Sequence, residues 1–212
     1  MIDWIREPLG RHDLFHDVIE CLVAALEAKD VYTSGHASRV ADMAYDLAKK
    51  MGMRGNRLDT IHIAGHLHDI GKIGIPDQVL NKKGRLLPHE WAQIQQHPEI
   101  GYNILRKSKR LDRMAKIVRF HHERWDGKGY PKGLKGEAIP MGARIIAICD
   151  TIDAMTSLRS YREPFTWEYC RQEVAFNKGK QFDPVLVDAI GDLWGIWEKR
   201  YSTSYNKERY LL

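Results

Sequence analysis

The chain has 212 residues, of which 43% are hydrophobic, enough for one domain with short extensions around a buried core. No apolar run approaches the roughly 18 residues that span a bilayer, and the acids Asp3 and Glu7 in "MIDWIREPLG" are unlike a secretory leader, so a cytoplasmic protein with no membrane partner is expected. Three scattered cysteines, Cys21, Cys149 and Cys170, argue against a disulfide framework, and a net charge of +5 with acids and bases interleaved permits an anionic ligand without indicating a nucleic-acid polymer.

In chain order, residues 1–25 read as an N-terminal helical extension, with "RHDLFHDVIECLVAAL" as an amphipathic stretch suited to coupling, to homodimerisation or to a lid over the core. "VIECLVAALEAKD" and "ASRVADMAYDLAKKMGM" step their apolar residues by three and four, and the second sets Val40, Met43, Ala44, Leu47 and Met51 on one helical face. "LDTIHIAGHLHDIGK" reads as a helix through Leu58, Ile61, Ala64 and Leu67 that breaks at Gly71, with Pro76 delaying its resumption. "LPHEWAQIQQHPEIGYNILRK" predicts a helix interrupted near Pro98, which should push His97 out of the α region. "RLDRMAKIVRFHHERW" is an amphipathic helix ending near two histidines. Gly127 to Gly142 follows as a glycine-rich loop too long to be a simple connector. A buried helix resumes at "ARIIAICDTIDAMTSL"; two more start at the caps Thr166 and Asp183, the latter with Pro184 in its first turn. Strand signals are almost absent, so the fold class is all-α, with residues 26–192 as the main domain and 193–212 as a polar and aromatic C-terminal tail.

The histidines carry the functional signal. His12 with His16, and His62 with His66, have the i,i+4 spacing that sets two imidazoles on one helical face, but neither pair has a carboxylate arranged nearby to complete a metal site. "HDIGK" differs, because His68 and Asp69 end an apolar helix just before a glycine. Adjacent residues on a helix point about 100° apart, so one cation held by both requires a helix end, or a carboxylate that reaches sideways to bridge two cations. His121 and His122 form a second adjacent pair at a helix end. Asp150 lies inside the apolar run "IIAICDTIDAM", where a carboxylate is costly unless it binds metal or joins a buried ion pair.

The order of His36 in "GHASRV", His68-Asp69 in "HDIGK", His97 in "QQHPEIG", His121-His122 in "HHERWDGKGYP" and Asp150 in "AICDTIDAMTSLRSYR" resembles the HD-GYP family, a branch of the HD metal-dependent phosphohydrolases. The likeness runs from about Leu26 to Ile190, and Gly129-Tyr130-Pro131 is the triplet that names the family. It implies an all-helical HD core with additional C-terminal helices and a long GYP loop. It also implies hydrolysis of cyclic di-GMP to linear pGpG, with or without onward cleavage to GMP. By position, His36, His68, Asp69 and Asp150 resemble the ligands of one divalent ion, and Asp69, His97, His121 and His122 those of another, with Asp69 bridging. The implied nucleophile is a hydroxide shared by two ions of iron, manganese, zinc or nickel. Lys72 resembles the lysine that faces the phosphate, Arg159 and Arg162 the phosphate-contacting pair, and Asp153 a supporting partner one turn from Asp150. Trp125 and Tyr130 can stack on guanine, pack the loop, or contact a signalling protein through the GYP loop. Where some members carry a glutamate for a third metal this chain has Tyr32, so two ions are expected, with Glu27 and Asp30 as nearby carboxylates for a third. Two other readings remain: hydrolysis of another cyclic dinucleotide, and a weakly active receptor that signals through partners.

Overall fold

The computed structural model describes residues 11–30, 35–158 and 163–208. Among them are eleven α-helices, three short 3₁₀ turns and no strand beyond a single bridge between Lys178 and Phe182. The helices are α1 (Arg11–Lys29), α2 (His36–Lys50), α3 (Asn56–Leu67), α4 (Asp77–Leu80), α5 (Pro88–Ile94), α6 (His97–Leu105), α7 (Asp112–Phe120), α8 (Met141–Thr156), α9 (Trp167–Phe176), α10 (Pro184–Ile190) and α11 (Leu193–Glu208). The all-α expectation holds. Among the described residues, no helix is long and apolar enough to cross a membrane.

The centre of the domain is α2 packed on α3 and α8. The expected face of α2 is the buried one: Val40, Met43, Ala44 and Leu47 are inside, and Met51 packs against the same core. α8 is apolar nearly all round, with Ile145, Ile146, Ile148, Cys149 and Ile152 buried, as a helix enclosed by others must be. Thr166 accepts a hydrogen bond from Tyr169 N, and Asp183 one from Val185 N, so both expected caps close their helices.

Two features of the site depend on close backbone approach. The 3₁₀ turn Ile70–Gly74 follows α3 and lies against the start of α6; a Cβ on Gly71 would stand 2.5 Å from Gly101 N and 2.8 Å from the His97 carbonyl carbon. Only hydrogen fits there, and this contact sets His97 beside Asp69. In the loop after α7, a Cβ on Gly129 would fall 2.5 Å from the His122 carbonyl oxygen. The chain thereby folds back, and Tyr130 N donates to His122 O at 3.2 Å.

The expected displacement of His97 from the helix is corrected. His97 is the first residue of α6, and the break falls at Gln95 and Gln96. Pro98 sits in the first helical turn, where its missing N–H would have no intrahelical partner, so it starts α6 instead of interrupting it. The C-terminal segment packs against α2: Trp197 is fully buried, and its Nε1 donates to Asp46 Oδ2 at 3.0 Å.

Candidate metal centre

Most of the candidate ligands stand at helix ends. His36 opens α2, His68 follows the last residue of α3, His97 opens α6, and His121 follows the last residue of α7. Asp69 precedes the 3₁₀ turn, while Asp150 lies within α8, one turn before Asp153. This location resolves the adjacency problem. His68 and His121 still have helical backbone, and each neighbour nevertheless reaches the same region: Asp69 Oδ2 lies 3.4 Å from His68 Nε2, and the ring centroids of His121 and His122 are 4.0 Å apart.

The packing forms two clusters that share one carboxylate. His36 Nε2 lies 3.3 Å from His68 Nε2 and 3.3 Å from Asp150 Oδ1. His97 Nε2 lies 3.3 Å from His121 Nε2, and the His122 ring centroid is 5.0 Å from that of His97. Asp69 turns one oxygen to each cluster: Oδ2 is 3.4 Å from His68 Nε2, and Oδ1 is 3.3 Å from His97 Nε2. The ligand atoms of His97, His121 and His122 lie within 4.8 Å of one another, as do those of His36, His68 and Asp69.

The hydrogen bonds on the far side of each ring show why these nitrogens attract a cation. His68, His97 and His121 each donate Nδ1–H to the carbonyl three residues earlier, Gly65, Ile94 and Val118, at 2.7, 2.8 and 2.6 Å. That fixes the tautomer and leaves Nε2 as a bare lone pair. The Nε2 atoms of His97 and His121 therefore oppose each other lone pair to lone pair at 3.3 Å, an arrangement that repels unless a positive charge sits between them. Two nitrogens held by one cation at roughly 2.0–2.1 Å with a tetrahedral angle stand roughly 3.3–3.4 Å apart, so the donor set fits a transition-metal ion.

The proton affinities follow the same logic. Burial, then the neighbouring imidazoles, push His121 well below its ordinary range, and burial with His97 pushes His122 to about 3, so both are neutral ligands at physiological pH. Burial likewise lowers His97. At His36, burial opposes the proton, but Asp150 and Asp153 outweigh it and raise the group to about 9. This corner of the site attracts positive charge, and a divalent cation would displace that proton. Asp69 and Asp150 resist the effect of burial and stay ionised, Asp69 chiefly through Lys72 and His68, Asp150 chiefly through His36.

Asp153 occupies the supporting position expected of it. It accepts the His36 Nδ1 proton at 2.7 Å and is held by Arg39 Nε at 2.6 Å and Ser157 Oγ at 2.9 Å. Lys72 reaches the centre, with its ammonium 2.7 Å from Asp69 Oδ2 and 2.9 Å from Asp30 Oδ2. Burial works against that charge, but Asp69 and Asp30 prevail and hold the ammonium above its usual range. Tyr130 stacks on His122 with ring centroids 4.9 Å apart and lines a cavity of about 340 Å³ over His121, His122 and Asp150.

Other residues were missed or misplaced by the sequence. Trp125 is not among the residues lining this cavity; its ring lies 5.6 Å from the Arg144 guanidinium, while Trp91 of α5, Gln95 just after it and Lys128 of the loop are in the wall. Buried Glu123 organises the loop by accepting from Lys132 N at 2.7 Å and Leu134 N at 3.0 Å. Nothing local in "HHERW" signals that role. Beside His62, α2 brings Asp42 Oδ1 to 3.5 Å from its Nε2, a contact 20 residues apart in sequence, and the candidate ligand groups among the described residues are those of the two clusters above. Arg159, Arg162 and Tyr32 lie outside the described residues, as do the side chains of His12 and His16.

Comparison with known proteins places the chain in a family. The HD domain family model covers residues 20–186. The chain is 43% identical over 180 residues to a 3'3'-cGAMP-specific phosphodiesterase of Vibrio cholerae, covering 84% of this chain and 34% of that one. It is 40% identical over 199 residues to a cyclic di-GMP phosphodiesterase of Thermotoga maritima, covering 93% and 53% respectively. It thus spans about half or less of the length of these relatives. A crystal structure of a cyclic GMP-AMP specific phosphodiesterase of V. cholerae shares the fold, with a TM-score of 0.64 at 21% identity, over 82% of this chain and 48% of that one. The helical scaffold, the family match over most of its length and the HD, HH and GYP motifs in their expected order make the chain a member of the HD domain family, in its HD-GYP branch.

Proposed function

We propose that the chain is a metal-dependent phosphodiesterase that opens cyclic di-GMP to linear pGpG. The observation that carries this reading is the pair of opposed imidazole nitrogens on either side of Asp69, whose two oxygens face different clusters. Two ions of iron, manganese, zinc or nickel are the proposed complement: His36, His68, Asp69 and Asp150 would hold one, and Asp69, His97, His121 and His122 the other. Divalent ions in such a centre lower the pKa of water and neutralise charge on a phosphodiester.

The chain's own groups do the remainder. Asp153 and the three carbonyl acceptors keep His36, His68, His97 and His121 in the tautomer that turns Nε2 inward. Lys72 brings a permanent positive charge to the bridging carboxylate, next to where a phosphoryl oxygen gains negative charge in the transition state. Lys128 and Trp91 both line the cavity; the first would attract the anion, and the second would offer an aromatic surface to a base. Arg159 and Arg162 are proposed to hold the second phosphate.

The named activity of the V. cholerae relative supports 3'3'-cGAMP as the second reading. Metal quantification and hydrolysis of cyclic di-GMP, 3'3'-cGAMP and cyclic di-AMP by the protein loaded with Mn²⁺ or Fe²⁺ test both. Wild type should turn over a guanine-containing cyclic dinucleotide, and the His68→Ala, Asp69→Ala double variant should lose both metal and turnover. Full turnover in that variant would overturn the site.

A further inference from the structure

A second cavity of about 250 Å³ adjoins the one above the metal ligands, and Thr151 and Gln181 line both. Gln181 spans the boundary: its Oε1 accepts from Arg124 at 3.1 Å, and its Nε2 donates to Thr151 Oγ1 at 3.5 Å. Thr151 directly follows the candidate ligand Asp150 on α8, so this second cavity begins one residue from the reaction centre.

Its walls suit a purine. Phe165 and Tyr169 stand with ring centroids 4.9 Å apart and are 37% and 46% exposed, unusually open for large aromatic side chains. They are not loosely placed: Phe165 N donates to Met155 O at 2.9 Å, and Tyr169 N donates to the Thr166 cap. Glu173 lines the same cavity, and its Oε1 accepts from the Asn177 side-chain amide at 2.8 Å. A carboxylate has lone pairs for about four hydrogen bonds, so one fixed by Asn177 still has acceptors to offer a ligand.

We infer that this cavity is a base subsite and that Glu173 makes it select guanine. The inference rests on the proposed cyclic dinucleotide activity and adds which base is read, and by what. The Watson–Crick edge of guanine carries two adjacent donors, N1–H and the N2 amino group, which match the two oxygens of a carboxylate. Adenine sets one donor, its N6 amino group, beside the N1 lone pair, so one carboxylate oxygen would face a lone pair without a proton between them. Reading a base by its Watson–Crick edge while stacking it on aromatic rings is a general solution for an unpaired nucleotide. The closed ring of a cyclic dinucleotide places two bases around each phosphate, and the Trp91 wall and the Glu173 cavity give each a separate seat.

The test compares kcat/KM of wild type, Glu173→Gln and Tyr169→Ala on cyclic di-GMP, 3'3'-cGAMP, cyclic di-AMP and the base-free diester bis(p-nitrophenyl) phosphate, all with Mn²⁺. Loss of a charge-assisted pair should lower cyclic di-GMP turnover by Glu173→Gln about tenfold to a hundredfold and narrow its preference over cyclic di-AMP. Hydrolysis of the base-free diester should stay within about twofold, which also shows that the variant folds and holds metal. Tyr169→Ala should weaken all cyclic dinucleotides alike by about tenfold. In titrations of metal-free protein, pGpG should bind more weakly to Glu173→Gln than to wild type, while pApA should not. An unchanged guanine preference, or an equal loss on every substrate, overturns the subsite while leaving the phosphodiesterase reading intact. Hydrolysis of the base-free diester alone by wild type overturns that reading and the subsite with it.

Discussion

Replacing Gly71 with alanine tests whether close approach of the 3₁₀ turn to α6 is what assembles the centre. Gly71 is not among the glycines with positive φ, so alanine meets no backbone penalty there and the effect is purely steric. The new Cβ would lie 2.5 Å from Gly101 N and closer still to His97 O, so restoring the 3.4 Å of ordinary contact moves α6 away by more than about 0.9 Å. Overpacking of this kind costs about 1–3 kcal/mol, and at about 2–4 °C per kcal/mol for a chain of this size the melting temperature should fall by about 2–12 °C. His97 moves with α6, so its 3.3 Å separation from Asp69 Oδ1 widens and turnover should fall about a hundredfold. Calorimetry, elemental analysis and the hydrolysis assay read the three effects. Gly52→Ala is the control: φ is 81° and nothing lies within 4 Å, so it should cost about 1–2 kcal/mol of stability and leave metal content unchanged. Full metal content and turnover in Gly71→Ala would refute the argument.

Other expectations follow from the site. Asp153→Asn deprives His36 Nδ1 of its carboxylate, and Mn²⁺ affinity measured by chelator competition should drop about 10- to 100-fold; unchanged affinity would remove Asp153 from its positioning role. Acidification should destabilise the metal-free fold. His97, His121 and His122 titrate below their unfolded value of 6.5, His122 at about 3, so under pH 6.5 the unfolded chain binds protons that the folded chain refuses. His36 does not offset this, since raised to about 9 it is protonated in both states well below pH 6.5. Urea denaturation should therefore show stability falling from pH 7 to pH 4, and a flat profile would contradict the buried neutral imidazoles. Glu123→Gln weakens the bonds that Lys132 N and Leu134 N make to a buried carboxylate; a loss of about 1–3 kcal/mol and faster amide exchange at those two positions are expected, and unaltered exchange would show the loop is held otherwise.

The motifs were legible in sequence because each is a local event. A histidine and an aspartate closing an apolar-periodic stretch shortly before a glycine, or two histidines after such a stretch, mark a helix end, and a helix end brings adjacent ligands to one region. The same holds for Thr166 and Asp183, whose capping bonds span two or three residues. Asp150 stood out because a charge in an apolar run demands a partner. The local rule failed at His97, where the proline that was expected to expel it instead started the next helix.

Composition and periodicity by themselves determined that this chain is all-helical, and motif order, through its likeness to the HD-GYP family, implied which imidazoles and carboxylates belong together. Tertiary structure alone decided that Asp69 turns one oxygen to each cluster, that Trp91 and not Trp125 faces the cavity, that Glu123 holds the loop, and that Glu173 and Asn177 line a second cavity beside Asp150. The physical reason is range. Helix ends and caps are set by hydrogen bonds a few residues long, whereas a cavity wall is set by which distant helices pack together, and that depends on the whole core at once.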